Sequence, residues 1–252
     1  GASHAGVQLA ASLRQAGWQE GITLLSQEEA LPYHRPPLSK AFLSGEKSAR
    51  EILLRGADFY ADQGIAFEQG ITVERIDPHA RTVRSGSRSI PYGKLILATG
   101  ARARRLDIPG ANLAGIHTLR DMRDAIHLKA ALAETANVVI IGGGFIGLEV
   151  AATAIKAGQS VTVLEAQDRI LARALPPELS HWLTDYHGAA GVSFRFHCGV
   201  DRFEGEGGRV RSIRLNDGAR LSADLVLVGI GSDAALDIGC NAGLARSAGG
   251  IL

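Results

Sequence analysis

Residues 137–167 read NVVIIGGGFIGLEVAATAIKAGQSVTVLEAQ. An apolar, β-branched run leads into a glycine turn, a helical run follows to Gly158, and a second β-rich run, VTVLE, occupies 161–165. This order predicts strand, turn, helix and strand, with Gly142, Gly144 and Gly147 in GxGxxG spacing. In that motif Gly142 permits the tight turn, Gly144 lets the backbone approach a pyrophosphate, and Gly147 lets the helix pack on the strand. The turn opens a helix at Phe145 and Ile146, whose N-terminal N–H groups and partial positive charge suit phosphate. Glu165 closes the second strand, where a carboxylate can accept both hydroxyls of a ribose. The alternative is a purely structural glycine turn.

The pattern occurs twice. The chain opens GASHAGVQLAASLRQAG (1–17), and Gly1, Gly6 and Gly17 precede Gly142, Gly147 and Gly158 by a constant 141 positions. A strand, ITLLS (22–26), follows this first helix. Such duplication predicts two nucleotide-binding domains of one design. The first copy departs from the motif at Ser3, which replaces the middle glycine but can donate to a phosphate; His4 and Ala5 fill the two positions before Gly6. Its ribose acid is less defined. Ser26 ends the strand, and the nearest carboxylates are Glu28 and Glu29, with Glu28 the better placed or simply a solvated loop acid.

Accessory strands repeat as well. Residues 71–77 and 81–86 read as short antiparallel strands, and 94–98 as a buried strand ending at Thr99 and Gly100. After the second unit, 191–197 and 207–218 read as antiparallel strands with Asn216-Asp217-Gly218 as a tight turn, and 223–232 as a buried strand. Amphipathic helices are expected over 120–135 and 176–191. The chain of 252 residues carries 27 basic and 26 acidic side chains, a balance that favours neither nucleic acid nor a membrane surface as a partner. Two cysteines fit a reducing, cytoplasmic location, and no apolar run is long enough to span a bilayer. The eight histidines show no metal-ligand spacing, so no metal site is expected. Both ends read as cut: a glycine turn opens the chain without its leading strand, and an apolar stub (248–252) closes it.

Two dinucleotide units joined by antiparallel strands and closed by LATG (97–100) and VGIG (228–231) resemble the pyridine nucleotide–disulfide oxidoreductase superfamily. The segments PYHRPPLSK (32–40) and IGGGFIGLEVAA (141–152) narrow the resemblance to the FAD-dependent, NADH-using ferredoxin and rubredoxin reductases that feed bacterial oxygenases. It covers essentially the whole chain and implies an α/β fold of two Rossmann-like, three-layer domains, the NAD domain (108–231) inserted into the FAD domain (1–107 and 232–252). Against the family, the first strand, a later aspartate-bearing flavin motif and a C-terminal domain are missing. The implied activity is electron transfer from NADH through FAD to ferredoxin or rubredoxin. A cysteine-free NADH oxidase or monodehydroascorbate-reductase-like enzyme, and an NAD(H)-sensing flavoprotein resembling apoptosis-inducing factor, are the rivals.

Disulfide reductases of this superfamily carry two redox cysteines where this chain has RPPLSK (35–40). No cysteine precedes Cys198, which excludes a thiol relay at that position. The resemblance instead implies that Arg35 faces the flavin pyrophosphate and that Lys40, paired with Glu149, reaches the isoalloxazine near N5. It also implies that Val73 contacts adenine through its backbone and that Thr99 and Gly100 lie at the flavin pyrophosphate. Arg104 or Arg105 would meet the flavin phosphates or ring edge, and Gly229 and Gly231 would line the nicotinamide side.

Overall fold

The computed structural model describes residues 1–247 and 250–251; most of the apolar stub at 248–252 therefore lies outside the described residues. Contacts divide the chain into two compact units, one of Gly1–His34, Ala49–Arg102 and Asp233–Leu252, the other of Arg35–Ser48 and Ala103–Ser232. The segment Arg35–Ser48, which sequence reasoning leaves in the first domain, thus groups with the second unit.

The first unit contains α1 (His4–Gln15), β1 (Ile22–Leu25), α2 (Ala57–Asp62), β2 (Ile65–Glu68), β3 (Arg75–Asp77), β4 (Thr82–Ser85) and β5 (Arg88–Pro91). Strands β1 and β2 pair in parallel, and α1 and α2 bury Val7, Ala10 and Tyr60 against Leu24 and Ile65. Strands β3 to β5 form an antiparallel meander whose registered residues Ile76, Val83 and Ile90 share one face, while Arg75 lies directly opposite Arg84 on the other. The boundary between the units runs through β6 (Ala101–Ala103).

The second unit continues with β7 (Ile116–His117), α3 (Met122–Leu132), β8 (Asn137–Ile141), α4 (Phe145–Lys156), β9 (Ser160–Leu164), α5 (Pro177–Ala189) and β10 (Val192–Arg195). A second meander, β11 (Val200–Glu206), β12 (Arg209–Leu215) and β13 (Arg220–Ser222), precedes β14 (Leu225–Val228). The five-stranded parallel sheet has the order β10-β9-β8-β14-β7. Side chains alternate across it. Ile140 faces the α4 helix, its Cγ2 lying 3.1 Å from where a Cβ on Gly147 would stand. Val139, Ile141, Leu164, Val226 and Val228 face the other way and form one core with Phe203, Val210, Ile213 and Leu215 of the second meander. Helix layer, parallel sheet and antiparallel sheet are the three layers of this α/β unit. The chain then recrosses at β15 (Ser232–Ala234), which pairs with β6, and ends through α6 (Asp237–Asn241) and a short antiparallel pair, Arg246–Ser247 with Gly250–Ile251.

The duplication holds to the residue. Helices α1 and α4 begin and end 141 positions apart, at His4 and Phe145 and at Gln15 and Lys156. Their C-caps, Ala16 (φ −79°, ψ 4°) and Ala157 (φ −82°, ψ 2°), superpose in conformation, and each is followed by a left-handed glycine, Gly17 at φ 85° and Gly158 at φ 86°.

Four readings need correction. Residues 94–98 form no strand, and Ile96 is 55% exposed. The counterpart stretch, β14, is held between β8 and β7. The 94–98 run enters no ladder among the described residues. Residues 71–74 are also irregular, although the Ile71 amide donates to Ser26 O at 2.7 Å. β10 is not antiparallel: it extends the parallel sheet beside β9. Finally β2, β5, β11 and β13 exist without having been read from the sequence.

Candidate functional site

The second glycine turn is built by close backbone packing. A Cβ on Gly147 would lie 2.3 Å from Gly142 O, and one on Gly142 would lie 2.5 Å from Gly229 O. Gly142, at φ 107°, donates its amide to Leu164 O at 2.8 Å, and Gly229 donates to Ile141 O at 2.8 Å. These contacts draw Gly142, Gly147 and Gly229 together at the C-terminal edge of the parallel sheet. At the mouth of α4, Gly144 has open space where a side chain would be. Glu165 reaches back to this turn: its Oε2 accepts the Gly143 amide at 2.7 Å and its Oε1 accepts the Gln167 amide at 2.8 Å. A carboxylate has about four acceptor positions, so two remain for hydroxyls.

The first unit repeats the construction. A Cβ on Gly6 would stand 1.9 Å from Gly1 O, and one on Gly1 would stand 1.9 Å from Ala98 O. Ser3 is the N-cap of α1, and its side chain makes no capping bond to the helix. His4 and Ala5 open the helix, with His4 Nε2 3.3 Å from His34 Nδ1. Backbone bonds also locate the ribose-acid position. Ile71 N donates to Ser26 O as Cys198 N donates to Glu165 O, and Gly70 N donates to Glu28 O as His197 N donates to Gln167 O. Ser26 is therefore the counterpart of Glu165. Glu28 lies two residues beyond, its carboxylate accepting from the Tyr33 hydroxyl. Thr99 Oγ1 donates to Ala235 O at 2.7 Å, Gly100 takes φ 70°, and Val73 lies half-buried in the irregular stretch.

Both helix mouths suit an anion. Helices α2, α3, α5 and α6 each carry an acidic residue in the first turn, whereas α1 and α4 have none and no side-chain cap. Among the described α-helices, the two glycine-turn helices alone carry no first-turn acid to offset the positive end of the dipole. A nucleotide pyrophosphate fits such a mouth.

The RPPLSK segment forms a 3-10 turn over Pro36–Ser39, with both prolines at its start, where a missing N–H costs nothing. The turn packs against α3 and α4. Lys40 Nζ lies 2.7 Å from Glu149 Oε1, and Ser39 Oγ donates to Glu149 Oε2 at 2.5 Å. Arg35 donates through Nη1 to Arg120 O at 2.7 Å, and Lys129 Nζ donates to Phe42 O at 3.0 Å, tying the segment to α3 and the loop before it. Glu149 borders a groove of about 260 Å³ between α4 and α5, lined also by Phe145, Leu148, Ala152, Leu183 and His187. Burial holds the His187 imidazole below its ordinary pKa, so a neutral ring lines the groove. Arg104 donates its amide to Gly231 O at 3.0 Å. Ser39 is the site residue that sequence reasoning passed over: its partner is 110 positions away, and only its place beside Lys40 could have signalled it. Both cysteines are free, and the described residues hold no cluster of three or more metal-ligating side chains.

A family model described as pyridine nucleotide-disulphide oxidoreductase matches residues 1–252. The chain belongs to that family. Among its relatives, a ferredoxin–NAD(P)(+) reductase of a Sphingomonas species is 46% identical over 232 residues, covering 92% of this chain and 56% of the relative. A rubredoxin–NAD(+) reductase of Pseudomonas putida is 41% identical over 253 residues, covering 100% and 66%. The crystal structure of the ferredoxin reductase for the CYP199A2 system from Rhodopseudomonas palustris matches with a TM-score of 0.94 at 40% identity, covering 98% of this chain and 61% of that one. A covalent putidaredoxin reductase–putidaredoxin complex matches with a TM-score of 0.94 at 38% identity, with the same coverage. The chain thus spans between about half and two thirds of the length of these oxidoreductases. Membership of the pyridine nucleotide-disulphide oxidoreductase family implies a flavin and NAD(H) as cofactors, and no helix among the described residues is long and apolar enough to cross a membrane.

Proposed function

We propose that this chain is the dinucleotide-binding part of a cytoplasmic, NADH-dependent flavoprotein that passes electrons through FAD to a ferredoxin or rubredoxin serving an oxygenase. The observation that carries the reading is the Lys40–Glu149 ion pair, set on a cysteine-free 3-10 turn. The first unit, through Gly1, Ser3, Gly6 and Thr99, would hold FAD, and the second, through Gly142, Gly144, Gly147 and Glu165, would hold NADH. FAD, when bound, supplies the chemistry that accepts electrons in pairs and releases them one at a time.

The chain's own residues bind and orient. The mouths of α1 and α4, which carry no first-turn acid, receive the pyrophosphates. Lys40 supplies a positive charge, and Glu149 pairs with that ammonium at 2.7 Å. The groove beside Glu149 offers apolar walls to a flat ring. Names of the relatives support the acceptor class: they are ferredoxin and rubredoxin reductases, and the putidaredoxin reductase was crystallised joined to putidaredoxin.

The test is coupled turnover of the purified flavoprotein. NADH oxidation should be fast with ferredoxin or rubredoxin and slow with oxygen alone. Oxygen reduction at a rate matching either protein would transfer the assignment to an NADH oxidase. A long-lived complex with NAD and slow turnover on every acceptor would transfer it to a sensor.

A further inference from the structure

We infer that Ser39 is a positioning residue that fixes the Glu149 carboxylate and, through it, the Lys40 ammonium. Glu149 receives one donor on each oxygen, Lys40 Nζ at 2.7 Å on Oε1 and Ser39 Oγ at 2.5 Å on Oε2. The two donors are consecutive residues, delivered together by the 3-10 turn that ends at Ser39. They differ in constraint. Lys40 has a long stem and a side chain 53% exposed, and ion pairs this open to solvent are weak and mobile. Ser39 is buried, has a single rotor, and its hydroxyl carries one proton. The other acceptor within reach, Pro36 O, is at 3.4 Å, so the proton goes to Glu149. A short hydroxyl bond to an ionised acceptor is among the stronger kinds.

The consequence is a division of labour on one carboxylate. Ser39 fixes the rotation of the Glu149 carboxylate, leaving Oε1 at a defined place. Lys40 then has one favoured position rather than a range of solvated ones. Any effect on a flavin rests on the proposed reading that Lys40 lies against the ring; the effect on Lys40 itself does not.

The experiment measures the acetylation rate of Lys40 by acetic anhydride on the purified protein, read by peptide mass spectrometry against Lys94 in the same sample. Ser39→Ala should raise Lys40 labelling by roughly three- to tenfold, the range expected for one lost hydrogen bond, with Lys94 unchanged. Glu149→Gln should raise it at least as far, and the double variant should add nothing beyond Glu149→Gln, because both act on one network. If Ser39→Ala does not fold, Ser39→Cys, a weak donor of similar size, carries the same comparison. Unchanged Lys40 labelling in a folded Ser39 variant, or additive effects in the double variant, would overturn the inference. A second measurement separates it from the proposed function. If labelling rises while the flavin midpoint potential and its reduction rate by NADH stay at wild-type values, the Ser39 inference stands and the placement of Lys40 at the flavin falls.

Discussion

Glu165 carries two backbone amides, those of Gly143 and Gln167, before any ligand arrives. It therefore braces the glycine turn as well as offering acceptors to a ribose. Under the proposed function it also sets cofactor choice, because a 2′-phosphate would bring like charges close. At an effective dielectric of about 20, unit charges 4 Å apart repel by roughly 4 kcal/mol, so even a screened clash decides selectivity. Ala166 and Gln167 follow the strand where a phosphate-binding arginine would be useful. Arg169, further on, is engaged by Asp168 and by Ala172 O. Steady-state kinetics should give a clearly higher kcat/KM for NADH than for NADPH, and Glu165→Ala should cut that ratio at least tenfold. The brace adds a second expectation: Glu165→Ala should weaken both nucleotides in fluorescence titration, since the Gly143 amide loses its partner. A wild type that prefers NADPH, or a ratio that Glu165→Ala does not move, would contradict the assignment.

The two meanders show what the same element does with differently placed counter-charges. In the second, Arg202, Arg214 and Arg220 are registered side by side across three strands, and Glu204 bonds Arg214 and Arg220 and accepts from Ser212 Oγ. The Ser212 hydroxyl first, and then Arg214, hold the Glu204 carboxyl below its ordinary pKa. In the first, Arg75 faces Arg84, and the carboxylate beside Arg75, Asp77, accepts the His79 and Ala80 amides. Like charges directly opposite are unfavourable in a sheet, and opposite charges gain about 0.2–1 kcal/mol. Arg84→Glu should accordingly raise the thermal midpoint slightly, whereas Glu204→Gln should lower it; calorimetry on both variants checks the pair. The Glu204 contribution should be present above its unfolded pKa and fade as pH falls through the lowered folded value. His117 on β7 works in the same direction near neutrality. Burial, then His127 and Arg209, depress its pKa, so the unfolded chain binds more protons below about 6.5. Stability should fall from pH 7 towards pH 5, and His117→Gln should flatten that slope in urea titrations.

How far the elements were legible follows from the same physics. The glycine turns, α1, α4, β8 and β9 could be read because close backbone approach demands glycine and a buried parallel strand demands a β-branched run. The 94–98 run satisfied the second rule and still formed no strand, since a strand is a pairing and composition alone supplies no partner. β2 was missed because IAFE is short and pairs with a strand distant in sequence, and β11 because VDRFEGE mixes charge and glycine through a strand with register shifts. The Lys40–Glu149 pair was expected from resemblance; the Ser39 bond, made between side chains 110 positions apart, had no local pattern to announce it.

At the scale of the molecule, the paired crossing strands β6 and β15 make residues 103–232 one long excursion from the first unit. Closing a flexible loop of that length would cost about 4 kcal/mol of chain entropy, taking (3/2)RT ln n. The excursion is not flexible once folded: Arg104 N meets Gly231 O at 3.0 Å, so the second unit delivers its two ends side by side. Refolding should therefore be ordered, with the inserted body first and the outer one waiting on it. The two tryptophans report this separately, Trp18 from the first unit and Trp182 from the second. In stopped-flow refolding of single-tryptophan variants, the Trp182 signal of Trp18→Phe should recover before the Trp18 signal of Trp182→Phe. Recovery of Trp18 first, or of both at one rate, would mean that the nesting of the chain leaves no mark on the order of its folding.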